Sequence, residues 1–278
     1  MRSSRRLVGD ILLYAVVIIG FIASIYPVYW MFVAGTQNNQ QIFGKLPYLW
    51  FGSSLLQNYK ELMTSSGINI YQSMLNSLII SLSSTVLAVI SASMAGYAFA
   101  KYHFKLSKTM FQIILGALMI PPQVTLIPLF ILVSHLGLVN TYWAIILPAT
   151  ISIFGVYLMR QTFYSFPAEL LEAARIDGLK EGGIFWRIVI PLSRPTLSAL
   201  GIITFLASWT NLLWPLVILN DSSSYTIPVA LSTLMGTQTQ PNYGMIMLGA
   251  SIATVPMLIL FLALRRNFIS GIMSGYNR

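Results

Sequence analysis

Residue types that commonly carry catalysis or bind metals are scarce in this sequence. There is no cysteine, so disulfides and thiolate ligands are excluded. The two histidines, His103 and His135, fall in predicted loops, away from any carboxylate or second ligand. The signature motifs of metalloproteases, serine hydrolases and P-loop nucleotide-binding proteins are absent as well. We therefore expect a chain that is not an enzyme, with no catalytic residue, no metal site and no cofactor of its own.

Gln123 stands beside a group of prolines within an apolar stretch. Pro121, Pro122 and Pro128 each remove a backbone donor and break the helical hydrogen-bond ladder. Carbonyl groups freed at membrane depth must face protein or water rather than lipid. The stretch therefore predicts a bend that lines a pathway, with Gln123 beside it. A purely structural kink is the alternative.

Asn211 and Trp214 lie near the centre of another apolar stretch, too deep for the aromatic belt of a membrane surface. Their spacing of three places them on one face of a helix. An amide beside an indole suits a sugar, because it offers hydrogen bonds to hydroxyl groups and a flat surface to apolar ring faces. Helix packing, with Asn211 bonded to a neighbouring helix, is the alternative. Gln123, Asn211 and Trp214 are thus the candidate residues of a solute path.

Charged side chains gather in residues 160–194, whose first part is typical of a short helix with both ends marked. Ser165 is the expected N-cap, Pro167 fits the first turn, and Gly178 supplies a left-handed stop. The predicted helix has one face that lets another backbone approach closely, made of Leu170, Ala173, Ala174 and Asp177. Such a face suits docking better than catalysis, although an amphipathic loop at the lipid headgroups has the same pattern. After Gly178 we expect a short apolar helix that packs against the ends of the spans.

Six apolar runs are long enough to cross a bilayer, which takes about 20 helical residues. They cover about residues 11–34, 74–100, 109–134, 142–159, 196–220 and 243–264, and none contains an Asp, Glu, Lys, Arg or His. Only 8% of all residues are charged, whereas a water-exposed surface needs about a quarter. The sequence predicts an all-α membrane protein with six transmembrane helices, forming a single domain over residues 1–278.

The distribution of Lys and Arg predicts the orientation of the spans. Of the 16 basic residues, all except Lys45 and Lys60 lie at the termini, in 101–108 or in 160–194. The positive-inside rule therefore places both termini and the loop 160–194 in the cytoplasm and the loop 35–73 outside. Inserting the seven charges in the middle of 160–194 would cost at least ~17 kcal/mol. The net charge of +9 follows from this topology, so binding of nucleic acid loses its main support.

The spacing within the loop 160–194 resembles that of a known family. The pattern reads Glu172-Ala173-Ala174, three residues, Gly178, nine residues, Ile188, one residue, Ile190 and Pro191. Permeases of binding-protein-dependent ATP-binding-cassette (ABC) importers share E-A-A, three residues, G, nine residues, I, one residue, L, P. The one departure is Ile190 in place of Leu. Further segments that resemble the carbohydrate-uptake branch, with subunits like the second maltose permease, are 120–128, 138–144, 208–215 and 268–275.

The resemblance implies a type I ABC importer permease fold and a role for the loop. In the family this loop forms coupling helices that sit in a cleft on the ATPase subunit. The implied coupling residues are Glu172, Ala173, Ala174, Arg175, Asp177, Gly178, Ile188 and Pro191. Also implied are a partner ATPase dimer that binds ATP and Mg, a second homologous permease subunit, surrounding lipid of a prokaryotic plasma membrane, and a solute-binding protein that meets the loop 35–73. The tail 276–278 is looser than the family pattern, which leaves its contact with the ATPase open.

The resemblance favours a permease subunit that forms half of a translocation path for a sugar or oligosaccharide. An ion-coupled secondary transporter is the alternative. Such transporters tend to carry ionisable groups within their spans, and the spans here have none. Sodium sites built from carbonyls alone stay open. A membrane-embedded hydrolase is disfavoured because no nucleophile and base are paired at membrane depth.

Overall fold

The structure, a computed structural model, describes residues 2–45, 48–64, 68–236 and 240–273, with side chains from residue 9 to residue 263 within those ranges. The predicted tail contact, at 276–278, lies outside the described residues. The described helices are α1 (Arg2–Ala34), α2 (Asn39–Ile42), α3 (Leu55–Thr64), α4 (Ile70–Lys101), α5 (Ser107–Gly116), α6 (Pro122–His135), α7 (Trp143–Ala149), α8 (Ile153–Tyr164), α9 (Ala168–Ile176), α10 (Glu181–Ile184), α11 (Ile190–Leu192), α12 (Arg194–Trp209), α13 (Leu213–Ile218), α14 (Ile227–Gly236) and α15 (Tyr243–Met273). Short turns of 3₁₀-helix at Ala117–Met119 and Ser222–Ser224 and a π-helical turn at Phe185–Val189 join some of them.

Several helices of the described residues are apolar enough to cross a bilayer. Four stretches are long and apolar enough without pairing: Gly9–Ala34, Ile70–Lys101, Trp143–Tyr164, which contains α7 and α8, and Tyr243–Ala263. Two bent pairs qualify together: Ser107–Met119 with Pro122–His135, at 103°, and Glu181–Leu192 with Arg194–Trp209, at 79°. The predicted all-α, multi-span architecture is confirmed. The count of six spans, the loop limits and the orientation stay predictions.

The predicted third span bends at Pro121 and Pro122, whereas the break expected at Pro128 is wrong, because α6 runs through that residue. The helical path through α5 ends at Met119, and α6 begins at Pro122 with Pro121 in extended conformation before it. Pro122 occupies the first turn, where a missing N–H leaves no helical bond unmade. The bend itself is therefore confirmed, and the 103° between the two halves is far more than a kink in one helix.

The predicted fifth span, 196–220, is wrong as one continuous helix. Helix α12 ends at Trp209, and α13 starts only at Leu213. Pro215 favours the interruption, because its ring would clash with the carbonyl group of residue 211 in a regular helix that contained both residues. Asn211 consequently lies in the break rather than on a helix face.

The chain divides into two compact units, and the first comprises the described parts of Met1–Ile70 and Leu231–Val255. Within it, the side chains of α1 are exposed from Gly9 to Tyr29, as expected for a helix whose solvent is lipid. After α1, hydrogen bonds order the chain: Asn58 Nδ2 donates to the carbonyl oxygens of Gly35 (3.0 Å) and Gln37 (2.9 Å). The segment 35–73 therefore contains folded structure, including α2 and α3.

The second unit comprises Tyr71–Ala230 and Pro256–Arg278, of which the described residues contain two buried apolar clusters. One cluster surrounds Phe163 and Ile184, and the other surrounds Ile146 and Ile218. Helix α4 contributes to both, through residues such as Tyr97 in the first and Ile80 in the second. At 32 residues α4 is about 48 Å long, so this single helix reaches both clusters.

Candidate functional site: the loop 160–194 and a cavity

Helix α9 forms the first part of the charged loop, and its two ends are fixed in different ways. It ends as predicted, because Gly178 has φ +82° and the N–H of Leu179 donates to the Ala174 carbonyl oxygen at 3.0 Å. The predicted start is wrong. Ser165 Oγ donates to the Thr162 carbonyl oxygen at 2.7 Å and so closes α8, while Pro167 precedes the first residue of α9.

The predicted docking face of α9 is partly wrong, because the two adjacent alanines lie on different sides. Ala174 is only 4% exposed and packs with Leu171 into the cluster around Phe163. Ala173 is exposed. Neighbouring residues are about 100° apart on a helix, so a buried stripe through residues 171 and 174 turns 173 outward.

The exposed side of α9 contains an apolar residue that the sequence analysis missed. Ile176 is 86% exposed at the end of the helix, and Leu170 and Ala173 are exposed on the same helix. An isolated exposed Leu or Ile is ordinary. The signal available in the sequence was an isoleucine inside the family pattern, next to Asp177 and Gly178, that was not part of the predicted docking face.

The rest of the loop packs inward. Ile184, Phe185 and Val189 are buried in the same cluster as Ala174, which confirms the predicted packing of the apolar segment. Ile188 and Pro191 are half-buried. The eight coupling candidates therefore separate into an exposed group, namely Glu172, Ala173, Arg175, Asp177 and Gly178, and a group turned toward the protein, namely Ala174, Ile188 and Pro191.

A polar contact closes the loop on itself. Arg175 Nε lies 2.7 Å from Glu181 Oε1, and the Tyr102 hydroxyl donates to Glu181 Oε2 at 2.9 Å. The hydrogen bond from Arg175 holds the pKa of the Glu181 carboxyl below its usual value and raises the pKa of the arginine. Burial, together with the hydrogen bond to Glu181, raises the pKa of Tyr102 to about 12. The carboxylate and phenol thus keep the charge states that this contact needs at neutral pH.

A cavity of about 460 Å³ lies within the second unit. Its lining includes Gln123, Asn211 and Trp214, so the structure brings together all three predicted path residues. The other lining residues are Ser84, Pro122, Thr125, Leu126, Leu129, Ile145, Pro148, Ala149, Ile151, Ser152, Thr204, Ala207, Ser208 and Leu213. Among the residues that the structure describes, the lining contains hydroxyl, amide and apolar groups and no charged side chain.

Polar groups of the cavity differ in whether protein already binds them. Trp214 Nε1 donates to the Ala144 carbonyl oxygen at 2.9 Å, so the indole N–H is already bonded within the protein. Ser84 Oγ and Ser208 Oγ are buried atoms with no hydrogen-bond partner among the described residues. Nor do the side-chain amides of Gln123 and Asn211 have such a partner within the described part of the chain.

Ser84 and Ser208 are the cavity residues that sequence reasoning missed. Ser84 belongs to a group of small polar residues on α4 whose usual role is close helix packing, and others of that group do pack. Ser77 Oγ, for example, accepts the N–H of Ile227 at 2.7 Å. No feature of the sequence separated Ser84 from Ser77; only the position of the cavity does.

These features define a multi-span helical membrane protein with a cavity lined by apolar, hydroxyl and amide groups and a structured, charged loop that presents a short helix. Residues 84–273, more than half of the chain, match the family described as binding-protein-dependent transport system inner membrane component. The chain belongs to this family, and it is therefore a permease of the ABC import class.

Three named permease proteins are similar to this chain in sequence over 78% or more of their own length. The chain is 37% identical over 276 residues to the lactose transport system permease protein of Rhizobium radiobacter, covering 99% of both chains. It is 42% identical over 221 residues to the arabinooligosaccharides transport system permease protein of Halalkalibacterium halodurans, covering 79% of this chain and 78% of the relative. It is 30% identical to the sn-glycerol-3-phosphate transport system permease protein of Brucella abortus, covering 97% and 98%.

A solved structure supports the fold. The crystal structure of a bacterial ABC transporter involved in the import of the acidic polysaccharide alginate matches with a TM-score of 0.81. The match covers 96% of this chain and 98% of the other, at 21% sequence identity.

Proposed function

We propose that this chain is one of two permease subunits of an ABC importer that takes up a neutral sugar or oligosaccharide. The observation that carries the proposal is the cavity, whose described lining residues combine two amides and several hydroxyl groups with apolar surface and include no charged side chain. Hydroxyl groups of a sugar satisfy unpaired amides and serines, and apolar ring faces suit the leucine, proline and tryptophan surfaces.

Absence of charge from the described lining separates classes of solute. A phosphate or carboxylate buried in such a cavity needs a cationic partner, because a buried charge is costly unless it is paired. Two relatives are named for lactose and arabinooligosaccharides, and another is named for glycerol phosphate. The neutral lining favours the first kind of solute for this chain.

The exposed side of α9 is the proposed docking surface for the ATPase. It offers apolar contact at Leu170, Ala173 and Ile176 beside the charged groups of Glu172 and Asp177. Apolar anchors surrounded by polar groups are typical of protein interfaces. The partner ATPase dimer binds ATP together with Mg and hydrolyses the ATP, and this chain supplies no catalytic residue.

The remaining partners follow from the same proposal. A second permease subunit completes the path, and a solute-binding protein meets the loop 35–73 from outside the cell. Lipid of the plasma membrane surrounds the spans, and both termini and the loop 160–194 lie in the cytoplasm.

Transport competition tests the proposed solute class. The complete complex, reconstituted in proteoliposomes with its ATPase and binding protein, is supplied with ATP and labelled lactose or a labelled arabinan oligosaccharide. We expect uptake of a neutral sugar, with no competition by sn-glycerol 3-phosphate. Substituting Asn211→Ala raises the KM for uptake, whereas Gln112→Ala, which removes an exposed amide on α5 that does not line the cavity, serves as the control. Uptake of glycerol 3-phosphate in preference to every neutral sugar would refute the proposed solute class.

A further inference from the structure

Two consecutive residues at the end of α4 contact the segments that precede and follow helix α9. Lys101 Nζ donates to the Phe166 carbonyl oxygen at 2.8 Å, just before α9 begins. The Tyr102 hydroxyl donates to Glu181 Oε2 at 2.9 Å, and Glu181 in turn binds Arg175 in the last turn of α9. The start of α9 and its end are thus both held to the same point on α4.

Close packing of α4 next to these hydrogen bonds also holds α4 to the segments around α9. Tyr97 is buried one turn before Lys101, and its ring centroid lies 5.8 Å from that of Phe163 and 5.3 Å from that of Phe185. At Gly96 an added Cβ would lie 2.7 Å from the backbone nitrogen of Arg160, which shows how closely α4 and α8 approach. The end of α4 near Lys101 therefore packs against α8 and the π-helical turn at Phe185–Val189, which lie on either side of α9 in the sequence.

The same helix lines the cavity. Ser84 is one of the lining residues, and it lies 17 residues before Lys101, or about 26 Å along the helix axis. Helix α4 runs without interruption from Ile70 to Lys101. Near its other end, Asn76 Nδ2 donates to the carbonyl oxygens of Ser223 and Tyr225, which ties that end in place.

The segments that join α9 to α8 and to α12 contain turns and a bend, so they connect these helices less rigidly than the contacts with α4 do. Between α9 and α12 the chain passes Gly178 in the left-handed region, the pair Gly182-Gly183 and a 79° bend. Between α8 and α9 it leaves the helical conformation at Pro167. Turns of this kind let the joined helices change their relative angle, whereas contacts at both ends of α9 resist such a change.

We propose that α4 carries the movement of the docking helix α9 to the cavity, and that Lys101, Tyr102 and Glu181 are the positioning residues that hold α9 to α4. This inference rests on the proposed docking function of α9. The positioning residues touch neither solute nor nucleotide and act through the contact between the two helices.

A role in coupling differs from a role in folding. The Arg175 and Glu181 side chains are 44% and 43% exposed, and exposed ion pairs of this kind contribute little to stability. Loss of the contact is therefore expected to leave the protein folded in the membrane. It should instead lower the amount of solute transported per ATP hydrolysed.

The experiment uses the complete complex in proteoliposomes and measures solute transported per ATP hydrolysed. Glu181→Gln and Tyr102→Phe are expected to lower this ratio by about fivefold or more, with unchanged amounts of chain and bound ATPase. Lys105→Met, an exposed lysine close to Tyr102 that has no hydrogen bond among the described residues, is the control and should match the wild type.

Because the chain has no cysteine, a cysteine pair can replace the contact selectively. The double variant Tyr102→Cys, Glu181→Cys is expected to show the low ratio. A short thiol-specific cross-linker should restore it, and a cleavable version of the linker should lose the effect on reduction. Cross-linking that blocks transport would overturn the inference, as would variants with the wild-type ratio. If the wild-type chain fails to retain the ATPase at all, the docking function itself is refuted and this inference falls with it.

Discussion

The Trp214 indole donates its N–H to the Ala144 carbonyl oxygen at 2.9 Å, and this bond joins α13 to α7 at one wall of the cavity. Trp214 is buried. Without its indole N–H, the Ala144 carbonyl group would lose this side-chain partner. The residue predicted to contact a sugar through its indole therefore shapes the cavity and has no free donor to offer.

Trp214→Phe should destabilise the protein through loss of this bond. We expect the free energy of unfolding to fall by about 1 kcal/mol or more, since a buried acceptor is left unpaired. Trp143→Phe is the matched control, because Trp143 lies on α7 and is exposed. Thermal unfolding in detergent measures both, and equal losses of stability in the two variants would contradict the role given to the bond.

Ser84→Ala should weaken solute binding without weakening the fold. The hydroxyl is buried without a partner among the described residues, so its removal costs no hydrogen bond within the protein and is expected to leave the unfolding temperature unchanged or slightly higher. Ser81→Ala is the control: its hydroxyl is equally buried and unpartnered in the described part of the chain, but it does not line the cavity. Only Ser84→Ala should raise the KM for uptake; a rise in KM for both would place the effect in the helix rather than in the cavity.

Large substitutions on α9 should have opposite consequences at adjacent positions. Ala173→Trp places the ring on the exposed side, so the chain stays in the membrane while ATPase association and transport are lost. Ala174→Trp forces the ring into the cluster around Phe163, and overpacking of a buried position destabilises the protein itself. Co-purification of the ATPase and the yield of folded chain separate the two effects. Normal transport by Ala173→Trp would exclude the exposed side of α9 as the docking surface.

Gly178→Ala should cost stability through the backbone alone. No atom lies within 4 Å of an added Cβ there, but φ is +82°, and a left-handed conformation costs a non-glycine residue about 1–2 kcal/mol. Gly182→Ala, which has equal space and no positive φ, is the control. Thermal unfolding should show a larger loss at position 178, and identical values for the two variants would disprove the strain.

Acid should weaken the contact between Arg175 and Glu181. The pKa of Glu181 is lowered in the folded chain, so its ionised form contributes stability above the unfolded pKa, and this contribution is lost as the pH falls through the folded value. The loss therefore occurs below about pH 4.3, the ordinary pKa of glutamate. The difference in unfolding temperature between wild type and Glu181→Gln should be small, because the pair is exposed, and should disappear in this range. If the difference in unfolding temperature did not depend on pH, the ion pair would not be its source. Glu169→Gln is the control and should show no such pH-dependent difference from wild type.

The features that the sequence predicted well depend on local backbone chemistry. Pro121 and Pro122 cannot continue a regular helix, and the bend lies there. Gly178 tolerates a positive φ, and α9 ends there. The length and apolar character of the spans likewise predict membrane helices without any knowledge of their neighbours.

The features that the sequence predicted poorly depend on contacts between distant residues. Which side of α9 faces inward is decided by Phe163 and Ile184, so periodicity alone did not separate Ala173 from Ala174. Asn211 and Trp214 line one cavity, although Pro215 prevents the shared helix face that was the reason for grouping them. Ser84 and Ser208 could not be predicted as cavity residues for the same reason, since their place in the cavity depends on residues that are distant in the sequence.

ATP dependence of uptake distinguishes an ABC importer from an ion-coupled transporter. Proteoliposomes with the complete complex and its binding protein are loaded with ATP and given a labelled neutral oligosaccharide, first without any ion gradient and then with a sodium or proton gradient but no ATP. We predict uptake in the first condition, which requires the binding protein and is abolished by Ala173→Trp, and none in the second. Uptake driven by the ion gradient in the absence of ATP would contradict the account.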